Sequence, residues 1–148
     1  MGTVGQFLIG GGVSIANIAI HALVMTSVVR VARAIAERDK SSKPLFLTFL
    51  MSGIVSVLMT PHATEVIVWS LAYTIVGAVP GDASPIYFAF VNYTTLGYGD
   101  VIPVREWQLL GPITAMNGVL LFGWSTAVIF EVLRRSLDLE ARSRHEER

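Results

Sequence analysis

Between Leu45 and Val79 the chain runs for 35 residues with a single formal charge, Glu65. As one helix this stretch reaches roughly 50 Å, and a hydrocarbon core of about 30 Å cannot hold it upright. It must tilt, bend or protrude. Pro61 stands near its middle and removes an intrahelical hydrogen bond, which predicts a kink over residues 57–61. Two further apolar runs flank it, Phe7 to Val29 and Glu106 to Leu133, each long enough to cross a bilayer. With 53% hydrophobic residues and a mean hydropathy of +0.60, the composition excludes an ordinary soluble domain and points to an all-α membrane protein.

Charge placement orients these runs. Arg30, Arg33, Arg38, Lys40 and Lys43 cluster in the connection after the first run, and Arg134 and Arg135 follow the last one. Short basic segments stay in the cytoplasm, so the N-terminus is expected outside and the C-terminus inside the cell membrane. Arg30 and Arg33 read as a stop-transfer flank, because no arginine ladder repeats within the apolar run. Net charge is zero and the basic residues are split, which leaves no cationic face for nucleic acid. Cysteine is absent, so disulfides, thiolate metal sites and cysteine nucleophiles are excluded. The first run lacks a basic segment before it and a convincing Ala-x-Ala cleavage site, so it is read as a retained span. Gly10-Gly11-Gly12 makes its start the weaker part of the helix.

Pro80-Gly81-Asp82 ends the long run, and Ser84-Pro85 reads as an N-cap followed by proline at the first helical position. Residues 85–94 are therefore expected as a short helix, too short to span and tolerated at membrane depth only when buried in protein. Tyr87, Phe88, Phe90 and Tyr93 give it bulky sides. Its C-terminal carbonyls carry partial negative charge and would favour a cation nearby. Directly after it comes Thr94-Thr95-Leu96-Gly97-Tyr98-Gly99-Asp100. Gly97 and Gly99 permit alternating backbone dihedrals that turn successive carbonyls toward one axis, which is costly for residues with a Cβ.

This seven-residue stretch, placed between two apolar helices, resembles the selectivity filter of the tetrameric potassium-channel family. Residues 45–133 resemble that family's pore module in order and length. The resemblance implies a short prokaryotic potassium channel with three membrane spans: an N-terminal helix (1–29), a cytoplasmic basic loop (30–43), a pore domain (44–133) and a short cytoplasmic tail (134–148). Within the pore domain it implies an outer helix (44–79), a pore helix (85–94), a filter (95–99) and an inner helix (106–133). Filter orientation and the basic loop require an odd number of crossings between Lys43 and Pro80, hence one kinked outer helix. The carbonyls of Thr95, Leu96, Gly97 and Tyr98, with the Thr95 hydroxyl, would replace the water of K+, while Tyr98 braces the loop and Gly99 completes it. Thr94, Asp100 and Tyr87 would support the filter. Many members place a carboxylate where this chain has Val91, so Asp100 is expected to bond Tyr87 instead. One loop per chain implies a homotetramer with fourfold symmetry. Gly118 matches the inner-helix gating glycine, with Gly123 following; close helix packing is the other reading of both. Trp107 is expected at the outer interface.

His21, His62 and Glu65 are unexpected in apolar surroundings. Ionisable groups there face protein or water, which predicts contact between the first and second spans. Two histidines and a carboxylate suit Zn2+ ligation, and histidine titrates near neutrality; a hydrogen-bonded packing clamp is the plainer reading. Asn17 and Asn117 are expected to hydrogen-bond between helices. Glu131 would either form a carboxylate ring at the inner mouth or pair with Arg134 or Arg135. No nucleophile constellation or cofactor motif is present, so an enzyme is not expected and K+ is the permeant ion, not a cofactor. Passive K+ conduction is the leading function; a non-conducting regulatory or structural subunit that retains the motif is the alternative.

Overall fold

The computed structural model describes residues 2–38 and 44–146. Among the described residues there are four α-helices, α1 (Thr3–Arg38), α2 (Pro44–Val76), α3 (Pro85–Tyr93) and α4 (Leu110–Glu146), with one 3-10 turn at Arg105–Trp107 before α4. Three segments of the described residues are long and apolar enough to cross a membrane: Thr3–Ala32, Leu47–Val76 and Arg105–Asp138. α1 packs against α2 and α4, and the short α3 is held between α2 and α4. Leu8, Ile15, Leu23, Phe49, Leu71, Ile75 and Phe130 remain exposed along the long helices, as the outer positions of a membrane bundle can be.

Several element boundaries differ from the sequence expectation, each for a local reason. α1 continues nine residues past Val29, through the first part of the expected basic loop. Arginine, alanine and glutamate in residues 30–38 are good helix formers and nothing there breaks the helix. Lys40 and Lys43 lie outside the described residues. α2 stops at Val76, three residues early, because Gly77 takes φ +68°. Gly77 N donates to the Thr74 carbonyl at 3.3 Å and Ala78 N to the Tyr73 carbonyl at 3.0 Å. This pair of bonds is a Schellman cap. α2 is otherwise one helix with Pro61 inside it. α3 ends at Tyr93 with Thr94 as its C-cap. α4 starts at Leu110, after the 3-10 turn, and runs on through Glu146, so most of the expected tail is helix.

Two apolar clusters hold the helices together. Val66, Trp69, Tyr73, Phe88, Tyr93, Trp107, Leu110 and Ile113 form one, joining α2, α3 and α4. Trp107, expected at the interface, is buried in it. Met25, Val28, Ile54, Leu58, Val128 and Val132 form the other, joining α1, α2 and α4. α1 is seated by polar contacts as well as by packing. Leu109 N, an unpaired donor at the start of α4, donates to Gln6 Oε1 at 3.0 Å. Gly10 lies buried where α1 crosses α4, and a Cβ there would come within 2.9 Å of Ile113 Cγ2.

Candidate ion-conducting site and the polar cluster behind it

The loop after α3 is built by the helix before it. Ser84 caps α3, its hydroxyl accepting from Tyr87 N at 3.5 Å, with Pro85 next. At the other end Thr94 N donates to the Phe90 carbonyl (3.0 Å), Thr95 N to Asn92 (3.0 Å) and Leu96 N to Val91 (2.9 Å). These bonds lock the direction in which the chain leaves the helix. Thr95, Gly97 and Gly99 then adopt φ of +59°, +58° and +77°, while Leu96 and Tyr98 do not take positive φ. An alternation of hand along five residues is the backbone pattern that allows consecutive carbonyls to turn toward one side. Thr95 is the one described residue with a side chain that takes positive φ, a conformation that costs about 1–2 kcal/mol outside glycine.

All of Thr94–Asp100 is exposed in the single chain. Tyr98, expected to brace the loop, is 69% exposed in the single chain. Asp100 is anchored: Tyr87 Oη donates to its Oδ2 at 2.7 Å. That hydrogen bond, with the carboxylate's charge behind it, pushes the Tyr87 hydroxyl pKa above its ordinary value. Val91 is buried and offers no polar group. A backbone bond from Val104 N to the Ala78 carbonyl at 3.0 Å ties the segment leaving the loop to the end of α2.

Gly118 is buried against the end of α3, and a Cβ there would collide with the Tyr93 carbonyl oxygen. Its immediate role is close approach. Gly123 meets no atom of its own chain within 4 Å of a Cβ. Glu131 is taken up by Arg134, with Nη2 to Oε2 at 3.0 Å, and by Arg135 on the same helix.

Behind the loop, His21, His62 and Glu65 come together as a buried group. His21 Nδ1 is 2.8 Å from Glu65 Oε1. His62 Nδ1 is 3.4 Å from Glu65 Oε2 and 2.9 Å from the Tyr93 hydroxyl, and that hydroxyl donates to Glu65 Oε2. Ser125 Oγ sits 3.0 Å from His62 Nε2 and 3.3 Å from His21 Nε2. Sequence reasoning missed Tyr93 and Ser125 as members, since a tyrosine in an aromatic run and a serine in an apolar helix carry no distinguishing pattern. Next to this group Asn17 Nδ2 and Trp69 Nε1 both donate to Asn117 Oδ1, at 3.2 and 3.0 Å, so Asn17 and Asn117 do bridge helices.

Searches of curated proteins and of solved structures return no match to this chain. A family model described as "Ion channel" matches residues 45–135, the stretch that carries α2, α3, the alternating loop and most of α4. Well over half of the chain is covered, and the chain belongs to this ion-channel family, that of the two-span potassium-channel pore domain.

Proposed function

We propose that the chain conducts potassium ions passively and selectively across a cell membrane, as a homotetramer whose four Thr95–Gly99 loops form the filter. The alternating φ at Thr95, Gly97 and Gly99 carries this reading. Four strands with carbonyls on a common side supply stacked rings of oxygens that can replace the hydration shell of K+. One such loop per chain requires four chains around one axis. The exposure of Leu96, Tyr98, Tyr87 and Phe90 agrees with faces that neighbouring subunits cover. α3 points its C-terminus toward the loop, and the partial negative charge there favours a cation.

The N-terminus lies outside and the C-terminus in the cytoplasm, following the basic residues after the first and last spans. Gly118 and Gly123 are the positions at which α4 would bend, and Glu131 stands near the inner mouth. The His21, His62 and Glu65 group adjoins Tyr93, the residue before Thr94 and Thr95, and is where a proton or a metal ion would act on conduction. Reconstitution in liposomes with K+ and Na+ flux measured side by side, against Gly99→Ala, tests the proposal.

A further inference from the structure

We propose that His21, His62, Glu65 and Tyr93 form a binding site for one zinc-type divalent metal ion within the membrane. Four donor atoms converge: His21 Nδ1 from α1, His62 Nδ1 and the Glu65 carboxylate from α2, and the Tyr93 phenol oxygen from α3. One ligand atom from each of His21, His62 and Glu65 lies within 4.8 Å of those of the other two. A tetrahedral ion with ligands at about 2.0–2.1 Å sets them about 3.4 Å apart. The spacings His21 Nδ1 to Glu65 Oε1, His62 Nδ1 to Tyr93 Oη and His62 Nδ1 to Glu65 Oε2 measure 2.8, 2.9 and 3.4 Å, the two histidines facing different oxygens of the one carboxylate. The spacings of 2.8 and 2.9 Å are shorter than a tetrahedral edge, so an ion would be seated by moving those donors apart.

Charge balance makes the set suitable for a buried position. A divalent ion, one carboxylate and one phenolate sum to zero, with both imidazoles neutral, so no net charge is left in hydrocarbon. The ion takes the place of the protons that link the groups: the phenol proton is released, while each neutral imidazole keeps its one proton, now on Nε2.

Ser125 supplies an independent argument. Its Oγ lies 3.0 Å from His62 Nε2 and 3.3 Å from His21 Nε2. When both Nδ1 atoms donate within the cluster, the single hydroxyl proton of Ser125 serves one Nε2 and leaves the other facing a lone pair unless an extra proton is bound. With both Nδ1 atoms on a metal, both Nε2 atoms carry hydrogen and the one oxygen accepts from each. This is the outer hydrogen bond that metal-bound histidines ordinarily make. Aromatic rings flank the histidines: Phe122 lies 4.5 Å from His62 and Trp124 5.5 Å from His21, centre to centre. Two imidazoles with two oxygen donors and no thiolate suit zinc-type ions rather than Ca2+ or Mg2+.

An ion here would staple α1 to the pore helix one residue before Thr94. That consequence for conduction rests on the proposed channel function; the binding does not. The test is metal content of the full chain in detergent, purified from zinc-supplemented cells and washed with chelator, with Co2+ substitution as the spectroscopic probe. About one zinc per chain is expected, with the intense visible bands of tetrahedral Co2+. His21→Gln and Glu65→Gln should retain less than a tenth of the metal. Ser125→Ala, which removes no ligand, should weaken binding about 10–100-fold, and Tyr93→Phe should shift the Co2+ spectrum. Variants are compared only where size-exclusion profiles match wild type. Wild-type protein without zinc, or Co2+ with the weak spectrum of a six-coordinate ion, overturns the proposal and leaves a network held by protons alone. Because binding is read on protein that need not conduct, a silent flux assay leaves this result standing.

Discussion

The carbonyl oxygen of Tyr93 rests against Gly118, leaving no room for a methyl group between α3 and α4. Gly118→Ala must therefore push the inner helix away from the pore helix, or be resisted by it. Overpacking of this kind costs about 1–3 kcal/mol. Gly53, exposed within α2 with open space where a Cβ would stand, is the control: Gly53→Ala should gain about 0.5–1 kcal/mol from helix propensity. Thermal unfolding in detergent reads both, and equal stability of Gly118→Ala and wild type would refute the close approach.

Tyr93 and Tyr73 are both fully buried tyrosines whose loss should have different effects. Tyr93→Phe removes the donor to Glu65 Oε2 and the partner of His62 Nδ1. Leaving a buried charged acceptor short of a partner costs about 1–3 kcal/mol or more. Tyr73→Phe removes a 2.5 Å bond to Thr114 Oγ1, yet Thr114 keeps its 2.8 Å bond to the Leu110 carbonyl. The expected cost is nearer 0.5–1.5 kcal/mol, roughly that of a single ordinary hydrogen bond. The order of the two melting temperatures checks this, with Tyr93→Phe below Tyr73→Phe.

What the sequence disclosed follows from how local each signal is. The span positions came from apolar run length, which only composition determines. The α3 start came from Ser84-Pro85, a cap readable from two adjacent residues. The loop conformation at Gly97 and Gly99 was legible because glycine marks positive φ, whereas Thr95 gave no such mark. His21, His62 and Glu65 stood out because ionisable residues are rare in apolar runs. Tyr93 and Ser125 did not, since their membership depends on how three helices cross. The end of α2 was misplaced by three residues although Gly77 signals it, because the Pro80-Gly81-Asp82 cluster gave the louder stop.

Gly77 holds the Schellman cap at φ +68°. Gly77→Ala should cost about 1–2 kcal/mol from the left-handed conformation alone. No neighbouring atom lies within 4 Å of a Cβ there, so the loss would be conformational rather than steric. Gly77→Asn should recover part of it, because asparagine tolerates this region better. If alanine and asparagine proved equivalent by thermal unfolding, the assignment of the cap would be wrong.

Tyr87 and Asp100 give a pH dependence with a definite sign. The hydrogen bond to Asp100 raises the Tyr87 pKa above its ordinary 10.0, so the folded chain holds this proton more tightly than the unfolded one. The contribution is complete below pH 10 and lost as the pH rises through the folded value. Ultraviolet titration of wild type minus Tyr87→Phe should place this tyrosinate above pH 10. A value at or below 10 would mean that the contact with Asp100 is not formed.

The measurement that bears most directly on the channel reading is the reversal potential of the reconstituted full chain in a planar bilayer, with K+ on one side and Na+ on the other. The account predicts currents that reverse near the K+ equilibrium potential and vanish in Gly99→Ala protein of the same tetrameric size. Currents that do not distinguish K+ from Na+, or a wild-type tetramer silent over the full range of voltage and pH, would contradict it.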